Sequence, residues 1–200
     1  MHTAFLYTAT VMIWSTSWLA IKFQLGDVNA LVSIAHRMAL AAVLCAALTW
    51  LTRGFVRLER RDHLRMLFQA VALFSCNYVF IYVATADLST GLIAVVFSTM
   101  VVLNALGGSL FLGNPLHGSV LAGGIVGLFG MGVLFYPELR DLSFSDPRVR
   151  ALGLCFAGTV CASAGNLVAV GNIRRGITVL TANSWGMAYG AIGLYAAALV

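Results

Sequence analysis

The chain has 200 residues, of which 60% are hydrophobic and 10% charged, and its formal net charge is +5. Soluble domains carry about 25% charged residues, so composition excludes a water-soluble globule. The charges are also clustered: between Arg65 and Glu138 only Asp87 is charged, and beyond Arg150 only Arg174 and Arg175 are.

A hydrocarbon core about 30 Å thick is crossed by roughly 20 apolar residues in a helix. On that measure the uncharged runs divide into seven spans, and their continuous helical patterning is unlike the short alternating strands of a membrane barrel. The first, Ala4 to Ile21, has no basic start and no cleavage site ahead of a polar chain, so it reads as a retained helix and not a signal peptide. Trp14, Ser17 and Trp18 share one of its faces, and Lys22 follows it. The second, Ala30 to Leu51, contains His36 and, about 10 Å from its start, Arg37. An arginine-rich segment comes next, with Arg53, Arg57, Arg60, Arg61 and Arg65 around Glu59 and Asp62.

The third span, Met66 to Ala86, carries Asn77, Tyr78 and Tyr82, and the fourth, Leu88 to Leu112, carries Ser98, Thr99 and Asn104. After the turn Gly113-Asn114-Pro115, the fifth runs from Val120 to Phe135, with Gly123 and Gly127 spaced to admit a neighbouring helix. Gly130 and Gly132 lie at bilayer depth with no strand before them, which excludes a nucleotide-binding fingerprint. The sixth, Ala151 to Gly171, holds Asn166; the seventh, Ile177 to Val200, holds Asn183, Trp185, Gly186 and Gly190. Cys45, Cys76, Cys155 and Cys161 all fall inside spans, none at metal-ligand spacing, and the expectation is neither disulfide nor metal site.

Positive residues in short loops are retained on the cytoplasmic side. With the N-terminus cytoplasmic, the inner loops collect seven arginines (Arg53, Arg57, Arg60, Arg61, Arg65, Arg174, Arg175) against four positive residues outside (Lys22, Arg140, Arg148, Arg150). A multi-pass protein of the cell (inner) membrane follows. The basic balance finds its partner in anionic lipid headgroups, not nucleic acid.

A shift of 149 residues sets Trp18-Leu19-Ala20-Ile21 over Leu167-Val168-Ala169-Val170, and Met38-Ala39-Leu40-Ala41-Ala42 over Met187-Ala188-Tyr189-Gly190-Ala191. It maps span one onto six and two onto seven. Five helices per repeat is an odd number, so the repeats are of opposite orientation. The expectation is a ten-helix, five-plus-five protein of which seven helices are seen: residues 1–137 one repeat, residues 151–200 the start of an inverted second.

Several segments resemble the EamA-like branch of the drug/metabolite transporter superfamily. Ile13-Trp14-Ser15-Thr16-Ser17-Trp18-Leu19-Ala20-Ile21-Lys22 is similar to that family's first helix, and His36-Arg37-Met38-Ala39-Leu40-Ala41-Ala42 to the start of its second. Asn77-Tyr78 through Ala84 and Thr90-Gly91-Leu92-Ile93-Ala94 resemble its third and fourth, and Gly123-Gly124-Ile125-Val126-Gly127-Leu128-Phe129-Gly130 its glycine-rich fifth. Within the family the aromatic content looks most like the YddG-like exporters of aromatic amino acids and metabolites. The resemblance implies an all-α polytopic membrane bundle that exports or exchanges small metabolites without a cofactor.

Polar groups in hydrocarbon cost several kcal/mol unless satisfied, so intramembrane polar residues should face the bundle interior. The candidate solute-binding set is therefore Trp14, Ser17, Trp18, Asn77, Tyr78, Tyr82, Ser98, Thr99, Asn166 and Trp185, with Arg37, Lys22 and His36 as gating or anion-attracting residues. Such a lining suits small amphipathic solutes such as amino acids. The aromatics could equally pack or anchor helices at the interface, the asparagines could bond helix to helix, and Arg37 could reach outward to the headgroups. All seven acids fall in loops, so the expected driving force is the solute gradient and not a membrane-embedded proton carrier. The alternatives are an intramembrane lipid- or peptide-acting enzyme using Ser109 and His117, and a non-transporting membrane scaffold.

Overall fold

The computed structural model describes residues 2–24, 29–52, 54, 56–140 and 146–199, with side chains at all of these except 2, 18–24, 138 and 139. Among the described residues there is no strand. The helices are α1 (His2–Gln24), α2 (Ala30–Leu51), α3 (Arg60–Ala84), α4 (Thr90–Leu112), α5 (Gly118–Leu134), α6 (Pro147–Arg174) and α7 (Val179–Ala198), with one helical turn at Tyr136–Leu139 between α5 and α6. Helices α2, α3, α4 and α6 are each long and apolar enough to cross a bilayer, while α5 is apolar but has only 17 residues. The chain is thus the helical membrane bundle its composition requires.

Helix limits follow caps more closely than they follow hydropathy. α3 starts six residues before the apolar run because Glu59 and Asp62 form a capping box, the Glu59 backbone N–H donating to Asp62 Oδ2 at 3.0 Å. α6 starts at Pro147, whose missing N–H costs nothing in a first turn, and Asp146 Oδ1 accepts from the Arg148 backbone N–H at 2.9 Å. At the other ends, Gly113 (φ +65°) stops α4 and Gly176 (φ +81°) follows α6. Each turns the chain in the left-handed region where a side chain is strained.

α3 and α6 form the centre. α3 packs on α6 and α7, α6 also packs on α4, and α2 lies along α7. The α2–α7 seam buries Ile34, Ala35 and Met38 with Ala191 and Leu194, against Phe74 and Tyr82 of α3. Close crossing of α3 and α6 depends on glycine: a Cβ at Gly165 would lie 2.5 Å from Leu73 Cβ and 3.0 Å from its backbone nitrogen. Gly186 and Gly190 of α7 admit α3 in the same way, their built Cβ atoms falling 2.9 and 3.2 Å from Phe74. The expected approach at Gly123 and Gly127 is not made, since nothing lies within 4 Å of either. Gly124, about 100° round the helix, meets Val102 of α4 instead.

Three loops share one end of the bundle, as alternating spans require. Arg175, after α6, pairs with Asp62 of α3 at 3.0 Å. Arg174 donates to the Leu112 carbonyl at 2.6 Å and to the Asn114 side chain, both beside the α4–α5 turn. Thr181 Oγ1 donates to the Gly54 carbonyl at 3.1 Å in the α2–α3 loop. Just inside this arginine-rich end, buried Gln69 of α3 accepts from Asn172 of α6 at 3.1 Å and donates to Asn183 of α7 at 3.4 Å.

The glycine contacts give a direct test. Gly165→Ala forces the α3–α6 crossing apart and is expected to cost about 1–3 kcal/mol, lowering the thermal unfolding temperature in detergent. Gly127→Ala, in open space, should be neutral or stabilising by up to about 1 kcal/mol. Equal effects of the two changes would contradict the crossing described.

Candidate functional site

The middle of α3 is not α-helical. Between Ala70 and Cys76 it is a π-helix, a form concentrated at functional sites because it breaks the regular ladder. The Asn77 backbone N–H reaches back five residues to the Ala72 carbonyl. The Leu73 carbonyl, which an α-helix would have given to that N–H, instead accepts from the Asn77 side-chain amide at 3.3 Å. Asn77 is 5% exposed and its Oδ1 is buried without a hydrogen-bond partner.

Beside this segment lies a cavity of about 380 Å³, lined by α1, α2, α3, α4 and α6. It extends from mid-depth toward the end opposite the arginine loops. Six of the expected residues meet there: Trp14, Ser17, Arg37, Asn77, Tyr78 and Asn166. Trp14 stacks at a tilt on Phe97 with ring centroids 5.9 Å apart. Ser17 donates to the Ile13 carbonyl of its own helix at 2.7 Å, and the Asn166 amide lies 3.4 Å from Met100 Sδ. The Arg37 guanidinium stands 5.3 Å from the centroid of the Tyr78 ring, a cation–π contact. It is therefore held inward on an aromatic face instead of reaching out to the headgroup layer. Among the described lining residues none is an acid, and Arg37 carries a positive charge.

Other expected residues lie elsewhere. Tyr82 is 1% exposed and sits behind the cavity wall, in the α2–α7 core. Ser98 and Thr99 spend their hydroxyls on Val95 and Val96 carbonyls at 2.6 and 2.7 Å, at the tightened turn where α4 is interrupted. His36 is exposed, bonded to the Val32 carbonyl and edge-on to Tyr195. Trp185 is not in the cavity: it packs edge-on over His63, centroids 5.0 Å apart, near the arginine-rich end. Its position along α7 explains this, since α7 starts at that end and residue 185 is fewer than two turns in. The side chains of Trp18 and Lys22 lie outside the described residues.

Sequence reasoning passes over the apolar part of the wall, Ile13, Leu73, Phe74, Ile81, Phe97 and Met100, because an apolar residue in an apolar span carries no signal. Gln69 and Asn172 it could have found, as uncharged amides within apolar runs.

Among known proteins, the EamA-like transporter family matches residues 2–136, more than half of the chain and every helix from α1 to α5. No curated protein and no solved structure matches.

In a variant that keeps Cys155 but has the other three cysteines changed to alanine, Ser17→Cys is expected to react with a membrane-impermeant thiol reagent, whereas fully buried Cys155 stays unlabelled. A Ser17→Cys thiol unreactive from both sides of the membrane would show that the cavity has no aqueous access.

Proposed function

Because the chain belongs to the EamA-like transporter family, and is therefore a membrane transporter of the drug/metabolite type, we propose that it carries small amphipathic metabolites such as amino acids through the central cavity by alternating access. The observation that carries this reading is the set of groups gathered in one space of about 380 Å³, within the size range of small-molecule sites. Arg37 offers a guanidinium that a carboxylate can engage in two parallel hydrogen bonds. Asn77 lines the same space with an Oδ1 that lacks a donor, and an ammonium group would supply one. Leaving such an acceptor unpaired costs about 1–3 kcal/mol, which a bound donor recovers. Trp14, Tyr78 and Phe97 provide an apolar wall for a side chain.

Two pairs support an inverted repeat of residues 1–137 and 151–200. Ser17 and Asn166, equivalent under the 149-residue shift, both line the cavity. Met38 and Met187, equivalent under the same shift, pack in the same α2–α7 core cluster. With the arginine-rich end cytoplasmic, as the charge asymmetry favours, that side is the closed one and the cavity faces outward. Among the described residues lining it none is an acid or a histidine, which favours exchange or facilitation driven by the solute gradient. The enzyme alternative finds no catalytic pair, since exposed His117 caps α5 and shares its Nδ1 with the Pro115 carbonyl at 3.2 Å.

Flux measured in proteoliposomes tests the reading. Arg37→Gln should reduce transport of carboxylate-bearing solutes roughly tenfold or more, the loss expected for one charge-assisted hydrogen bond, with little change for neutral analogues. A variant that transports amino acids at the unmodified rate would remove the argument for them, and a rate rising steeply with an imposed pH gradient would contradict the gradient-driven scheme.

A further inference from the structure

A second concavity, an open groove of about 620 Å³, lies between α3 and α6 at the arginine-rich end, away from the transport cavity. It is lined by Arg61, Leu64, Arg65 and Phe68 of α3 and by Val168 and Arg175 of α6 and its cap. The α3 residues recur at intervals of three and four and so form one face. The two helices run in opposite directions and still present matching tiers. Seven residues separate Arg61 from Phe68 on one, and seven separate Arg175 from Val168 on the other. Each pair thus sets an arginine at the rim and an apolar side chain about 10 Å deeper. Leu64 and Phe68 are 66% and 53% exposed, so the lower tier is open to whatever surrounds the helices.

The charge of the rim is not cancelled by the protein. Asp62 pairs with Arg175 at 3.0 Å and also feels Arg65, which leaves two of the three arginine charges uncancelled. Among the described residues no other acid forms an ion pair there. A guanidinium pair at the headgroup level calls for phosphate oxygens. The exposed Leu64 and Phe68 and the half-buried Val168 beneath it call for hydrocarbon.

We propose that this groove is a binding site for an anionic phospholipid, the phosphate held by Arg61, Arg65 and Arg175 and the upper part of the acyl chains lying on Leu64, Phe68 and Val168. A free phosphate or a soluble anion would use the rim and leave the lower tier bare. The chemistry of both tiers together selects a lipid over either, and basic pockets between membrane helices are known to take such headgroups. The site joins α3, which carries the π-helical wall of the cavity, to α6, so lipid bound there fastens the closed end.

The test uses the full chain in detergent, titrated separately with a two-chain anionic phospholipid, phosphatidylcholine and inorganic phosphate, with thermal unfolding as the readout. The anionic lipid is expected to raise the unfolding temperature, and the other two to leave it unchanged. The variant R61Q/R65Q should weaken the lipid response roughly tenfold. R57Q/R60Q, the same change of charge outside the groove, should keep it. Stabilisation by phosphate alone, equal stabilisation by phosphatidylcholine, or equal losses in the two variants would overturn the proposal. Native mass spectrometry of the unmodified chain gives an arm that needs no variant: co-purified anionic phospholipid is expected, and zwitterionic lipid only, or no lipid, counts against the site.

Discussion

A polar atom moved from water into hydrocarbon loses several kcal/mol unless the protein itself supplies a partner, and that cost decides where this chain puts its amides. Gln69 links Asn172 to Asn183 across three helices, accepting from one and donating to the other, and Ser163 donates to Asn104 at 2.8 Å across the α4–α6 contact. These bonds can form only where backbones come close, which is why α6 carries Gly165 at its crossing with α3 and α7 carries Gly186 and Gly190. Polar pairing and small-residue packing are here one arrangement: the glycines bring the helices within reach of the bonds that then hold them.

Where the same requirement is left incomplete, the cavity appears. The π-helical stretch of α3 turns Asn77 so that its amide serves the Leu73 carbonyl while its oxygen has no donor. Arg37, with no acid among the described residues of the cavity wall, rests on the Tyr78 ring. A guanidinium on an aromatic face and an acceptor with no donor complement the two charged groups of the amino acids proposed as solutes. A second buried oxygen without a partner, Asn172 Oδ1, lies toward the arginine-rich end; what sets the cavity apart is that its unpaired acceptor shares one space with a guanidinium.

Much of this was legible in the sequence because the bilayer imposes so few solutions. α2 runs over the very residues, Ala30 to Leu51, that hydropathy marks, since both of its ends coincide with the change from apolar to polar. α3 and α6 begin earlier than their apolar runs because caps at Glu59 and Asp146 set helix starts, and hydropathy does not register caps. Six candidate residues gathered in one cavity because each broke the apolar pattern. Other features left no such mark. Nothing in Ala70–Cys76 announces a π-helix, and the depth of Trp185 depends on which end α7 starts from. The choice of Gly124 over Gly123 or Gly127 depends on where α4 lies. Gln69 and Asn172 stand out as uncharged amides, but nothing in the sequence says that both are fully buried and bonded to each other.

At the arginine-rich end, the short connection between α6 and α7 is a hub. Through Arg175 it is fastened to α3, through Arg174 to the α4–α5 turn, and Thr181, just beyond it, is tied to the α2–α3 loop. Among the described residues these tethers couple α6 and α7 to α2, α3, α4 and α5, so that movement of one is transmitted to its neighbours. Unlocking would proceed as a single collective event, with a barrier set by the sum of the tethers. If the cavity works by the alternating access proposed above, such a molecule dwells in one form or the other and spends little time half open, so that it does not leak through both sides at once.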